Sequence, residues 1–275
     1  STSLSAQDRI PTPYFITYDH HLEEVDALEL AANAVVGKDD EINTFVGNWN
    51  EFEYGVRKWW TTEFYLDTQH TRHEGSLYTG FRFENRFKAL SGTHRINPVL
   101  YIEYEHLNGA DKTLKEILGF DGIEDLKEPN SETREEKERE FEGRIILSSD
   151  IGSWNVAGNF IGAKNIHGEQ WEFGYTVAAS RPLASKTGRQ CAFCAEQFSA
   201  GVEVYGGLGI WDKFTFRGTS QYIAPCILWA LPSETAIRVS PGWGINDNSV
   251  GFIFRIGVQQ EIDNVGRHIG KLFGH

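Results

Sequence analysis

The chain of 275 residues contains no methionine, only three cysteines and only eight prolines. Without methionine it does not begin at an initiator; removal of a secretory leader and trimming are the two accounts of that start. Cys191, Cys194 and Cys226 are an odd number, which excludes the disulfide framework of a small stapled domain. No stretch approaches the roughly 18 apolar residues of a membrane helix. That excludes helical spans and leaves spanning strands open. Positive charge is also short: 26 Lys and Arg stand against 39 Asp and Glu, a formal net charge of −13. Nucleic acid is therefore excluded as a partner, and attraction to anionic lipid head groups is not expected.

What the chain does have is aromatics (13%) and glycine (28 residues), the composition of strands joined by tight turns. The charges fall at a period of two. From residue 76 to 88, Leu77, Thr79, Phe81, Phe83 and Phe87 alternate with Tyr78, Gly80, Arg82, Glu84, Arg86 and Lys88. Successive side chains of a strand point to opposite faces, so this strand has one aromatic face and one charged face. The division recurs at 171–178 and again at 252–259, where Phe252, Phe254, Ile256 and Val258 oppose Ile253, Arg255, Gly257 and Gln259. About thirteen such segments, many of roughly ten residues, read as an antiparallel meander. The segment 14–24 is a candidate first strand. Residues 222–231 are almost continuously apolar, and their facing stays open. Residues 108–137 break the pattern: 112–118 has the spacing of a short helix, and the rest reads as a solvated charged loop.

One face or the other must be inside. Soluble barrels close at about eight strands with a filled interior, and sandwich strands usually run about five or six residues. Strands of about ten residues instead match a tilted crossing of a bilayer, and closure satisfies every backbone group, as lipid demands. The expected fold is therefore all-β: a closed antiparallel transmembrane β-barrel of about 12 strands, with 14 as the alternative and one long charged loop. Its apolar face meets lipid. Its charged face lines the lumen with Glu51, Glu53, Glu63, Asp67, Arg82, Glu84, Arg86, Glu103, Glu105, Glu142, Arg144, Glu172, Glu203, Arg238 and Arg255, opposite charges pairing across strands. Trp59, Trp60, Trp154, Trp171 and Trp243 lie near strand ends and suit interfacial girdles. With the last strand ending in the periplasm, residues 37–43, 68–75, 108–137, 163–169 and 210–217 fall outside the cell. The tight turns 57–58, 150–153 and 231–234 fall in the periplasm, the asymmetry such barrels have. The expected division is 1–27 as a leader, plug or extra strand, 28–262 as the barrel, and 263–275 as a tail with the pattern of a short amphipathic helix.

The run 198–209 (FSAGVEVYGGLG), the apolar segment around Pro225, the turn 242–249 (GWGINDNS), and 52–56 (FEYGV) followed by 59–65 (WWTTEFY) carry a resemblance. Over most of residues 14–262 the chain resembles poorly characterised bacterial outer-membrane β-barrels, loosely grouped with small porin-like transporters. The resemblance implies a Gram-negative outer membrane and passage of small solutes. It departs from many such barrels in the tail that follows Ile262, where they end in an aromatic.

Candidate chemistry is sparse. Cys191-x-x-Cys194 reads as a local disulfide in an oxidising compartment. By loop parity it faces the periplasm, as a docking loop for a protein partner. The pairs His20 and His21 with Glu23 and Glu24, and His70 and His73 with Glu74, are weakly specific for a metal and read as surface histidines; no metal and no cofactor is assigned. A barrel hydrolase with a His-x-Ser strand is excluded, since neither His94 nor His106 has a serine two positions on. No catalytic residue is assigned and the chain is not expected to be an enzyme. The expected partners are the lipid bilayer and small solutes or ions. The leading expectation is a porin-like barrel with a narrow charged lumen. The alternatives are a non-conducting barrel that anchors a periplasmic or surface partner such as a redox protein, and a soluble β-sandwich binding module.

Overall fold

The computed structural model describes residues 11–115, 117–168, 170–185 and 191–266. The expected leader is thus described only from Pro11 onward, and the expected amphipathic tail lies outside the described residues from 267 on.

The strands are β1 (Leu28–Lys38), β2 (Phe45–Arg57), β3 (Trp60–Thr71), β4 (Gly75–Lys88), β5 (Asn97–Asn108), β6 (Lys137–Ile151), β7 (Trp154–Asn165), β8 (Glu172–Pro182), β9 (Phe198–Ile210), β10 (Lys213–Phe214), β11 (Gln221–Ala230), β12 (Thr235–Gly244) and β13 (Phe252–Ile262). Each long strand pairs antiparallel with its chain neighbours, and β1 pairs with β13 from Leu28↔Ile262 to Lys38↔Phe252. Twelve strands therefore close on themselves. β10 is a two-residue hairpin arm on the end of β9 and not a barrel stave.

The registers place like faces together. Phe64 stands opposite Phe83 and Glu63 opposite Glu84 across β3 and β4. Phe83 is 46% and Ile145 55% exposed, whereas Glu84 and Arg255 are wholly buried. Oily side chains point away from the axis and ionic ones toward it, the reverse of a soluble barrel and the arrangement a bilayer requires. The soluble sandwich is thereby excluded. Exposed tryptophans mark both rims: Trp59 and Trp154 at the end where β1 begins and β13 finishes, and Trp171, Trp211 and Trp243 at the other.

The connections on the rim away from the start of β1 are 39–44, 72–74, 109–136, 166–171, 211–220 and 245–251. This rim is called the long-loop end and the other the terminal end. In β11 the open facing resolves with Tyr222, Ala224, Cys226 and Leu228 inward.

Two expectations need correction. Residues 14–24 are not a strand; they run as irregular chain inside the barrel. Nor does 112–118 form a helix among its described residues, and the excursion 109–136 is not simply solvated. Lys112, Thr113, Lys115, Ile117 and Leu118 are buried. The cause is an apolar patch on the inner wall: Val35, Phe45, Trp49, Tyr65, Tyr205, Tyr222 and Ile253 form one cluster with Ile16, Ile117, Ile123 and Leu126. The barrel thus contains a small core of its own, built where inward positions are apolar.

Candidate functional site: the barrel interior

Two segments enter the barrel, residues 11–26 from the terminal end and 109–128 from the long-loop end. Inward glycines make room for both. A Cβ at Gly55 would lie 1.8 Å from the carbonyl oxygen of Glu24, and one at Gly174 would lie 2.5 Å from that of Ile117. Only glycine lets these backbones come so close to the wall.

The charged ladder grips the two segments by their main chains. Glu203 accepts N–H bonds from Phe15 (3.0 Å), Ile16 (2.9 Å) and Thr17 (2.8 Å). Arg144 donates to the carbonyl of Ile16 (3.2 Å) and Arg238 to that of Tyr14 (3.0 Å). Arg255 donates to the carbonyl of Leu114 (2.8 Å) and to the Tyr205 hydroxyl (2.6 Å). Arg82 bridges Asp67 (2.8 Å) and Thr113 (3.0 Å), with Asp111 and Glu105 at 3.5 and 3.6 Å. Asn159 takes both main-chain groups of Tyr18, each at 2.8 Å, and so imitates a strand partner.

The segments meet at a packed waist. Glu84 accepts from Tyr65 (2.5 Å) and Tyr18 (3.0 Å), and pairs with Arg86 at 2.8 Å and Lys115 at 3.8 Å. Arg86 also holds Glu53 (2.5 Å) and Glu63 (3.2 Å). Lys115 lies 3.4 Å from the centre of the Tyr65 ring and 3.9 Å from Glu103, which Tyr101 also contacts. The Arg144 guanidinium pairs with Glu142 and sits over the rings of Tyr101 (4.5 Å) and Tyr18 (5.1 Å). Buried charges are tolerable here because each has an opposite charge or an aromatic face against it.

A cavity lies on each side of the waist. The one toward the long-loop end, of ≈ 320 Å³, is lined by nine carboxylates, including Glu105, Asp121, Glu138 and Glu172, against Arg82 and Lys115 among the described residues. The one toward the terminal end, of ≈ 280 Å³, is lined by eight, including Glu23, Glu29, Glu51 and Glu261, against Arg86 and Arg238. No residue lines both. Glu23, on the inner segment, has its carboxyl pushed up to about 10 by burial and by the neighbouring Glu53, Glu29 and Glu261.

All fifteen ladder residues project to the inner face. Eleven of them are buried, and Glu51, Glu53, Glu172 and Arg238 are partly exposed. Cys191 and Cys194 are disulfide-bonded in the 183–197 connection at the terminal end, and Phe193 between them packs on Trp229. His70 bonds Ser76 on the opposite rim. His20 is buried in the lumen and not at the surface. Sequence reasoning did not find Tyr18, Lys115 or Ser148 as interior residues that matter, nor the exposed Asp150 beside them. Asn159 beside Tyr18 and Asn97 beside Ser148 were the available signal, because an uncharged polar side chain on a charged face is suited to a main-chain partner; Lys115 has no such marker.

No protein-family description and no curated protein matches the chain. Among solved structures, an outer membrane channel from Pseudomonas putida F1 superposes with a TM-score of 0.56 at 9% identity, covering 89% of this chain and 98% of that one. The NanC porin superposes with a TM-score of 0.52 at 8% identity, covering 86% and 100%. At such identities the likeness is one of fold alone: a closed antiparallel β-barrel.

Proposed function

We propose that this outer-membrane barrel is a gated channel for small polar solutes with a preference for cations, held closed by its own inserted segments. The observation that carries the reading is the pair of acidic cavities, one toward each end. Between them lies the waist, where Tyr18 and Lys115 of the two insertions meet side chains of the barrel wall such as Glu84. Carboxylate excess in both cavities attracts cations and raises their local concentration. Withdrawal of an insertion removes its part of this waist, and the channel reading requires that this open a path between the cavities.

The test is conductance in planar bilayers of the full chain and of a variant lacking residues 11–24. The full chain is expected to be silent or to open briefly. The deletion is expected to give stable, cation-selective steps. A deletion variant that folds, judged by heat-modifiable gel migration, yet carries no current overturns the reading. That result favours the second one, a non-conducting barrel that anchors a partner, which the filled waist also suits.

A further inference from the structure

Four side chains converge at the terminal end, away from the waist: His20 and His21 of the inner segment, Asp19 beside them, and Asp150 near the end of β6. The His20 and His21 rings lie tilted at 46° with their centres 3.9 Å apart. The His20 Nε2 lies 3.6 Å from Asp150 Oδ2, and the His21 Nε2 lies 3.3 Å from the same oxygen. The second atom of each group also faces a polar neighbour. His20 Nδ1 is 2.6 Å from Ser148 Oγ, and His21 Nδ1 is 2.9 Å from Asp19 Oδ2. Asp150 Oδ1 accepts from Asn155 Nδ2 at 2.9 Å, and Asn155 in turn accepts from the Tyr14 hydroxyl at 3.1 Å.

We propose that His20 Nε2, His21 Nε2 and Asp150 Oδ2 form a binding site for a divalent transition metal ion of the zinc class. Three arguments converge. The ligand atoms all lie within 4.8 Å of one another. Their 3.3 and 3.6 Å separations from Asp150 are long for N–H···O hydrogen bonds. They fit the edges of a tetrahedron of about 2.0–2.1 Å bonds, which are about 3.4 Å. Finally, an oxygen lies beside each ring's other nitrogen, Ser148 Oγ at His20 and a carboxylate oxygen of Asp19 at His21, which is where metal-binding histidines carry their outer partners. His21 and Asp150 retain about a third of their exposure, and His21 opens on the cavity at the terminal end, so an ion has a route in. Two of the ligands belong to the inner segment and one to the wall. The ion therefore ties the segment to β6.

The test is zinc binding by the full chain, folded in detergent and stripped with chelator, measured by calorimetry and by equilibrium dialysis. One Zn²⁺ per chain is expected. Asp150→Asn and His21→Gln are each expected to weaken it by more than about 100-fold, and Asn155→Ala by about 10-fold, on the scale that shell losses have elsewhere. The double variant His70→Ala, His73→Ala is expected to bind as the parent does. Co²⁺ in place of Zn²⁺ is expected to give visible d–d absorption that Asp150→Asn abolishes. Absence of stoichiometric zinc on folded protein, or binding that survives both Asp150→Asn and His21→Gln, overturns the proposal. Binding is read without current, so its failure and that of the channel reading are separate results.

Discussion

Replacing Glu203 by alanine is expected to loosen the inner segment without opening the barrel wall. Glu203 is wholly buried on β9, and its two oxygens take the N–H groups of three successive residues, 15–17. A hydrogen bond to a charged group contributes roughly 1.5–3 kcal/mol. Three that share one carboxylate compete for it, and donors released by undocking regain water. The net loss is therefore about 3–4 kcal/mol, less than three independent bonds would give. At 1.4 kcal/mol per decade this is a loss of about 100- to 1,000-fold in local docking. The assay is amide hydrogen exchange at residues 15–17 in folded protein, where protection is expected to fall by that factor. Tyr18 keeps its ties to Asn159, so its protection should fall less. Glu203→Gln is intermediate. With its carbonyl in place of Oε1 it keeps the bonds from Ile16 and Thr17 and sets an amide N–H₂ against Phe15. Exchange at residues 15–17 within about threefold of the parent in folded Glu203→Ala refutes the reasoning, because three buried donors cannot lose their acceptor at so small a cost.

Three further outcomes are expected. Arg82→Gln leaves Asp67 buried without its cation, at about 3–5 kcal/mol, and frees Thr113; trypsin cleavage after Lys112 or Lys115 in folded protein should quicken at least tenfold, and unchanged digestion counts against the clasp. Ile145→Arg, on the outer face near the middle of β6, should cost about 2–4 kcal/mol in lipid, read as a lower urea midpoint of the heat-modifiable band, whereas Ile145→Leu should be neutral. The raised pKa of Glu23 sets a pH dependence: the docked segment binds the proton that the free segment releases near pH 4.5, so docking weakens as pH climbs from there toward about 10, by at most about 1.4 kcal/mol per pH unit. Exchange of residues 20–24, corrected for intrinsic rates, should rise over that range in the parent and stay flatter in Glu23→Gln; parallel profiles would remove Glu23 as the cause.

The parts of the structure that read from sequence are those where one residue's neighbours two positions away share its environment. Phe81, Phe83 and Phe87 against Arg82, Glu84 and Arg86 suffice to define a strand with two unlike faces, because the strand period is a local property. The same rule failed at 222–231. There the inward residues are themselves apolar, since Tyr222 packs with the inserted loop and Cys226 with Tyr14. In 109–136, Lys112 and Lys115 have the composition of a solvated loop. Whether such charges stay in water depends on carboxylates such as Glu84 and Glu103, which are distant in the chain and have no local signature.

By itself, then, the sequence determined the closed meander of about 12 strands, with 14 still open, and the inversion of its faces, because pleating converts residue order directly into inside and outside and a bilayer accepts only one of the two assignments. Only the tertiary structure decided what fills the interior. The grip of Glu203 on residues 15–17, the meeting of Tyr18 with Lys115, and the approach of His20 and His21 to Asp150 all join positions more than a hundred residues apart or on separate insertions. Period-two patterning carries no information about which chain lies along the axis; that depends on where a glycine leaves space and where a buried charge still lacks its counterpart.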